Sequence, residues 1–144
     1  NTGAHDKAER IYRRARELAA YSTDLDYNLA TLLIQMKRPE EAITLLSKVE
    51  RIEKPSAGLL FHLGNALALT GQNERSIDKL TASVAIEPAN ARVWIILGEV
   101  YLRSRRLEDA AIAFHKFLEY HRSDDRFARR ARTVLESLQQ KLED

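Results

Sequence analysis

The feature that most constrains this chain is a sequence pattern that repeats every 34 residues. The segment LGNAL at 63–67 recurs as LGEVY at 97–101, and 34 residues earlier it reads LATLL at 29–33. A second series at the same spacing consists of Ala8, Ala42, Ser76 and Ala110. A fixed period of this length predicts a solenoid in which each unit is a helix–turn–helix hairpin stacked on its neighbours.

Composition agrees with a chain that is almost entirely helical. The 144 residues suffice for one domain with a sizeable core, and Ala, Leu, Glu and Arg dominate. With 23 basic and 21 acidic residues the net charge is +2, which argues against bulk attraction to nucleic acid. The lack of cysteine excludes disulfides and thiolate metal sites and leaves the compartment open, cytoplasmic or periplasmic. No apolar run approaches the ~20 residues of a membrane span.

Apolar periodicity and capping residues predict about eight helices in a single domain, 1–144. Residues 1–5 are expected to lie outside them. Ser22 or Thr23 is expected to cap a helix, Pro39 to open one, Gly71 to end one, and Asn90 to cap another. The predicted units are 6–20 as the second helix of a partial repeat, then 23–55, 57–90 and 91–122, and a capping helix at 124–142. The partial repeat predicts either a longer array or an N-terminal cap.

The last predicted helix differs from the others in composition. It has Arg132 where earlier units have Ala30, Gly64 or Gly98, so close packing against another helix is not expected there. A polar terminal helix is typical of solenoid ends, which need a soluble outer face. Phe117 is larger than the residues at equivalent positions, and we expect it to fill the space beneath this helix.

The repeated residues resemble those of the tetratricopeptide repeat (TPR) family over about residues 6–121. The third unit carries the family signature as Trp94, Leu97, Gly98, Tyr101, Ala110 and Phe114. The second unit matches at Leu63, Gly64, Leu67, Ser76, Leu80 and Pro88, with Leu60 in place of the tryptophan. The resemblance implies a right-handed superhelix of antiparallel helix pairs whose first helices line a concave groove.

The resemblance also implies which side chains line that groove. The expected partner-binding residues are Tyr27, Asn28, Thr31, Phe61, His62, Asn65, Arg92, Ile95, Ile96 and Glu99. Tyr27, Phe61, Ile95 and Ile96 are expected to face away from the helix–helix core. The amides of Asn28 and Asn65 can donate to and accept from the backbone of an extended peptide. The alternative is that the apolar members simply pack against neighbouring helices.

An arginine cluster near the C-terminus is the main concentration of charge. Arg126, Arg129 and Arg130 are candidate anion-binding residues. The alternative is a solvated cap face, partly neutralised by Glu136 beside Arg132. Some family members bind the carboxylates of a partner's C-terminal tail through a clamp of five residues. In this chain only Arg92 matches the clamp positions. If the alignment is moved forward by one unit, Asn65, Arg126 and Arg130 match, and the set is again incomplete. A chaperone-tail clamp is therefore not expected.

Residues for catalysis or metal binding are not apparent. His115 and His121 are six residues apart on one predicted helix and cannot share a metal, and His62 has no nearby ligand partner. No phosphate-binding loop or nucleophile motif occurs. We therefore expect no cofactor, no metal and no enzymatic activity of this segment.

The function that these observations favour is a protein–protein interaction scaffold that binds a partner protein or peptide in the concave groove. One alternative is a recognition or oligomerisation segment of a larger enzyme or assembly, such as a TPR-bearing glycosyltransferase. Another is self-association through Ile11, Tyr12 and Leu18 of the first helix. An RNA-binding or anionic-surface-binding module is a further alternative, although stacking aromatics are lacking near the arginines.

Overall fold

The computed structural model describes residues 2–18 and 22–143, and these form eight α-helices with no strand among them. The helices are α1 Thr2–Leu18, α2 Thr23–Gln35, α3 Pro39–Ile52, α4 Ala57–Leu69, α5 Asn73–Ile86, α6 Ala91–Arg103, α7 Leu107–Tyr120 and α8 Arg126–Glu143. The predicted all-α solenoid of about eight helices is confirmed.

The helix boundaries themselves repeat along the chain. The first helices of the three full hairpins have 13 residues each and begin at 23, 57 and 91, and the second helices have 14 residues each. Each hairpin turn contains one residue with positive φ, namely Lys37 at 59°, Gly71 at 75° and Arg105 at 57°. Sequence reasoning identified only the glycine, because lysine and arginine give no local signal for this conformation.

Two glycines show why the repeated small residues are needed. A Cβ atom on Gly64 would lie 2.7 Å from Leu80 Cγ, and one on Gly98 would lie 2.9 Å from the ring of Phe114. In the second and third hairpins the two helices therefore approach too closely for a Cβ atom unless Leu80 or Phe114 moves, whereas the first hairpin accommodates Ala30 at the same position. Ser76 Oγ also donates to the Gly64 carbonyl at 2.8 Å, which fixes the same contact through a hydrogen bond.

Several predicted helix ends need correction. Residues 2–5 are helical rather than outside the first helix, while its predicted end at Ala20 lies outside the described residues. Ser22 caps α2 as predicted, because its hydroxyl accepts from the Leu25 N–H. Asn90 occupies the cap position of α6 but makes no side-chain capping hydrogen bond.

The cap helix α8 packs differently from the sequence prediction. It begins one residue later than the 34-residue spacing from α6 requires, because five residues rather than four precede it. The buried residues of α8 are Ala128, Ala131 and Leu138. The helix therefore does pack closely through small residues, but these lie at positions 128 and 131 rather than at 132. Arg132 is exposed and pairs with Asp124 at 2.6 Å, not with Glu136. Phe117 is 3% exposed and packs in the same cluster, as predicted.

Candidate functional site

A cleft of about 350 Å³ opens on the side of the array formed by the first helices of the hairpins. We call it the inner cleft. It lies between α4, α6, the C-terminal end of α7 and the start of α8. Its lining residues are Phe61, Asn65, Arg92, Ile95, Ile96, Phe117, His121, Asp125 and Phe127. Apolar side chains therefore form most of the surface, with a few polar groups among them, as in typical ligand sites.

Half of the expected groove residues meet at this cleft. Phe61 and Asn65 reach it from α4, and Arg92, Ile95 and Ile96 reach it from α6. These side chains come together because α4 and α6 are neighbouring first helices separated by one 34-residue period. The other five expected residues, Tyr27, Asn28, Thr31, His62 and Glu99, do not line it.

The orientation expected for the apolar groove residues needs correction. Phe61 is only 5% exposed and packs in a core cluster with Leu80, Val84, Val93 and Leu97. Ile96 is half-buried and packs against the same cluster, and Ile95 packs against the cluster beneath α8. Tyr27 packs against the N-terminal core. Phe61 thus belongs to the core, whereas Tyr27, Ile95 and Ile96 are partly buried against it and expose the rest of their surface.

Aromatic and charged side chains form a row across α2, α4 and α6. Tyr27 meets His62 edge-on with ring centroids 5.6 Å apart, and His62 lies 4.9 Å from Phe61. The Arg92 guanidinium then covers the Phe61 ring at 5.0 Å. Burial, and secondarily the charge of Arg92, lowers the pKa of His62 below its ordinary value, so the imidazole is neutral at pH 7.

The remaining expected residues occupy the periphery of the groove. Asn28 is exposed, and its backbone carbonyl accepts from the Thr31 hydroxyl at 2.9 Å. Glu99 pairs with Arg130 at 3.3 Å and so links α6 to α8. Arg129 is exposed on the first turns of α8, close enough to help lower the pKa of Asp124 after the larger effect of Arg132. Anion binding by Arg126, Arg129 and Arg130 stays a prediction.

Sequence reasoning missed four lining residues, all from the end of α7 and the start of α8. Phe127 is 45% exposed at the mouth of the cleft. His121 stacks on Phe117 at 4.6 Å and pairs with Asp125 at 3.0 Å. Asp125 also accepts from the backbone N–H groups of Phe127 and Ala128 and so caps α8. The capping residue Asp125 was the signal that could have revealed Phe127. If α8 is aligned with α6 at their first helical residues rather than by the 34-residue spacing, Phe127 takes the position of Arg92.

A second groove of about 600 Å³ lies between α7 and α8 on another side of the array. Its walls include His115, Arg132 and Glu136 around an apolar floor, but none of the expected groove residues reach it. Among residues 2–18 and 22–143, no group of three potential metal ligands converges. No helix in that part of the chain is long and apolar enough to cross a bilayer.

Stacked helical hairpins with a cleft on the inner side define a helical-repeat protein of the interaction-scaffold class. Two sequence profiles described as tetratricopeptide repeat match residues 2–60 and 61–127. The chain therefore belongs to the tetratricopeptide repeat family, whose members bind protein or peptide partners. No curated protein matches the sequence significantly.

Solved structures similar to this chain are also TPR proteins. MamA from Desulfovibrio magneticus RS-1 superposes with a TM-score of 0.82 at 18% identity, covering 99% of this chain and 84% of that one. YrrB, described as a TPR protein with an unusual peptide-binding site, gives 0.81 at 20% identity over 92% and 68% of the two chains. The Sgt2 TPR domain from Aspergillus fumigatus gives 0.70 at 19%, over 84% and 79%. These likenesses establish the fold alone.

Proposed function

We propose that the chain is a non-catalytic scaffold that binds a peptide segment of a partner protein in the groove formed by α2, α4 and α6. The observation that supports this most directly is the inner cleft, where residues from α4 and α6 converge on an open apolar surface. We also propose the unit boundaries 23–55, 57–90 and 91–122. The groove is continuous only if the first helix occupies the same position in each of these units.

The polar groups of the groove suit an extended peptide. The Asn65 amide lies at the cleft and makes no hydrogen bond to another described side chain, so its donor and acceptor are both available. Backbone hydrogen bonds combined with apolar pockets are the usual basis of extended-peptide recognition. Helix pairs that are already rigid lose little conformational entropy when a ligand binds.

Peptide selection with a random 12-residue phage library tests the proposal without assuming a partner. Enriched peptides would be synthesised and titrated by calorimetry against the wild type, Asn65→Ala and Phe127→Ala. We expect the affinity to fall about tenfold for Phe127→Ala, in line with loss of one well-packed apolar contact. Phe61→Ala is not a useful variant, because truncating a buried core residue costs about 3–5 kcal/mol of stability.

Ile112→Ala is the matched control, since Ile112 is 58% exposed on α7 and does not line the cleft. Circular dichroism should show equal helical content in all variants. If the selected peptides bind Asn65→Ala and Phe127→Ala as tightly as the wild type, the groove is not the peptide site and the proposal is wrong.

Self-association is a second candidate, favoured by the outer face of α1. Ile11 is 60% exposed and Leu18 is 73% exposed, whereas Tyr12 turns inward against the N-terminal core. Sedimentation velocity at several concentrations would show a dimer that Ile11→Ser with Leu18→Ser abolishes. A monomer at all concentrations would contradict this candidate.

A further inference from the structure

We infer that the inner cleft binds an acidic peptide through one bulky apolar side chain, with Arg92 and Arg126 pairing with carboxylates beside that side chain. The inference rests on the proposed function and specifies the chemistry of the peptide. It assigns part of the binding site to α8, the helix whose Arg126 the sequence analysis also gives as a candidate anion-binding residue.

The apolar part of the argument is the shape and lining of the cleft. Three phenylalanines and two isoleucines surround a volume of about 350 Å³, at the lower end of the range for ligand pockets. That space accommodates one large aromatic or aliphatic side chain with its adjacent backbone. Phe127, exposed at 45%, would become covered when such a side chain enters.

The charged part of the argument is the distribution of ion pairs around the cleft. The Arg92 guanidinium lies 5.0 Å from the Phe61 ring centroid, and the Arg126 guanidinium lies 4.8 Å from that of Phe127. Both rings line the cleft. Neither arginine has a carboxylate within ion-pair distance in the described parts of the chain.

The two carboxylates nearest the cleft already have side-chain partners. Asp125 pairs with His121 at 3.0 Å, and Glu99 pairs with Arg130 at 3.3 Å. Among the described residues at the cleft, the two arginines without an ion pair, Arg92 and Arg126, outnumber the single carboxylate of Asp125, so the net charge there is positive. Arginine stacked on an aromatic ring keeps its N–H donors free to form paired hydrogen bonds with a carboxylate. This arrangement favours an acidic partner and disfavours a basic one.

Fluorescence anisotropy with a defined panel of labelled peptides tests the inference. The probe is a nine-residue peptide of Asp and Glu with a central Phe, and the comparison peptides carry Ala at the centre or Lys in place of every acidic residue. We expect the Phe peptide to bind about 10- to 100-fold more tightly than the Ala peptide, from burial of one apolar side chain. The Lys peptide should not bind.

Arg92→Ala and Arg126→Ala should each weaken binding of the acidic Phe peptide, and raising the salt concentration should weaken it further. Arg51→Ala removes the same charge from an exposed site on α3, outside the cleft, and should leave the affinity unchanged. Phe127→Ala should reduce the preference for Phe over Ala at the peptide centre, whereas Ile112→Ala should not.

Two results would overturn the inference. Equal binding of the Phe and Ala peptides, with Arg51→Ala as harmful as Arg92→Ala, would show diffuse attraction between charges. Failure of the acidic peptides, while library-selected neutral or basic peptides bind and lose affinity in Asn65→Ala, would leave the proposed function intact and reject only the acidic chemistry.

Discussion

The two ends of the helical array are closed by different kinds of contact. At the N-terminal end, α1 has no buried residue among those described, and ion pairs join it to the rest of the chain. Arg16 meets Asp26 at 2.6 Å, Arg38 meets Glu9 at 2.6 Å, and Arg13 meets Glu41 at 3.1 Å. At the C-terminal end, α8 buries an apolar stripe against Phe114 and Phe117.

The difference shows that similar end helices can be stabilised by different physical effects. Burial of apolar surface is nondirectional and is not screened by salt, whereas ion pairs that remain accessible to solvent contribute little and are screened. Asp26 shows this difference between the ends most clearly. It is 1% exposed, and the equivalent residues of the later units are the apolar Leu60 and Trp94. A polar contact thus replaces an apolar one where α1 docks.

The largest effect that separates the two ends is expected for Phe117→Ala. Phe117 is 3% exposed, and truncating a buried phenylalanine costs about 3–5 kcal/mol in the free energy of unfolding. Urea denaturation would measure the loss, which should be the same at low and high salt. Phe127→Ala is the control, because its exposed ring should change stability by less than about 1 kcal/mol. Equal losses in the two variants would contradict an apolar closure.

A smaller effect is expected for Asp26→Asn. The carboxylate lies 2.6 Å from Arg16 and 3.4 Å from Lys48, and both basic side chains keep a third or more of their surface exposed. They can therefore be rehydrated, and we expect a loss of about 1–2 kcal/mol, less than the 3–5 kcal/mol for a fully buried pair. Asp26→Leu, which restores the residue type of Leu60, should recover overall stability while hydrogen exchange in α1 becomes faster.

If Asp26→Leu leaves hydrogen exchange in α1 as slow as in the wild type, the buried ion pair does not hold that helix. Mass spectrometry of peptides covering α1 and α8 would compare the two ends in one sample. Exchange in α8 should not change in either Asp26 variant, because Asp26 contacts α1 and α3 but not the C-terminal end.

The smallest effect is expected on acidification. Burial alone would raise the pKa of Glu9, but hydrogen bonds from Arg13 and Arg38 outweigh it and place the pKa below the ordinary 4.5. The hydrogen bond from Arg38 likewise lowers the pKa of Glu41 from 4.5. Because both folded-state pKa values are depressed, their stabilisation is complete above about pH 4.5 and is lost as the pH falls through the folded-state values.

Glu41 is exposed, Glu9 is partly buried, and their arginine partners keep a third or more of their surface in solvent, so the total change in unfolding free energy should stay within about 1 kcal/mol. Because the intrinsic exchange rate of amides itself falls on acidification, the quantity to compare is the protection factor, which should decrease in α1 before it decreases in α8. Asp125 caps α8, and the N–H of Ala128, with further hydrogen bonds, keeps its pKa below the ordinary 3.8. Simultaneous loosening of α1 and α8 would contradict the contrast between the ends.

Sequence periodicity was sufficient for the fold and for half of the candidate site. It located the hairpins, the close approaches at Gly64 and Gly98, and the positions of Asn65 and Arg92 on neighbouring first helices. It placed Phe61 at the cleft but did not predict that its side chain is buried, because burial depends on how the helices tilt against one another. It also missed Phe127, because the extra residue before α8 shifts that helix out of the repeat.

The sequence by itself determined that this chain is an array of helical hairpins, since a 34-residue period of small and apolar residues fits only one kind of stacking. Only the tertiary structure decided which charges are compensated and where an open cleft remains. Ion pairs such as Glu99 with Arg130 join residues of different helices, and no local pattern encodes such distances. The positive, apolar character of the cleft is therefore a property of the packed array.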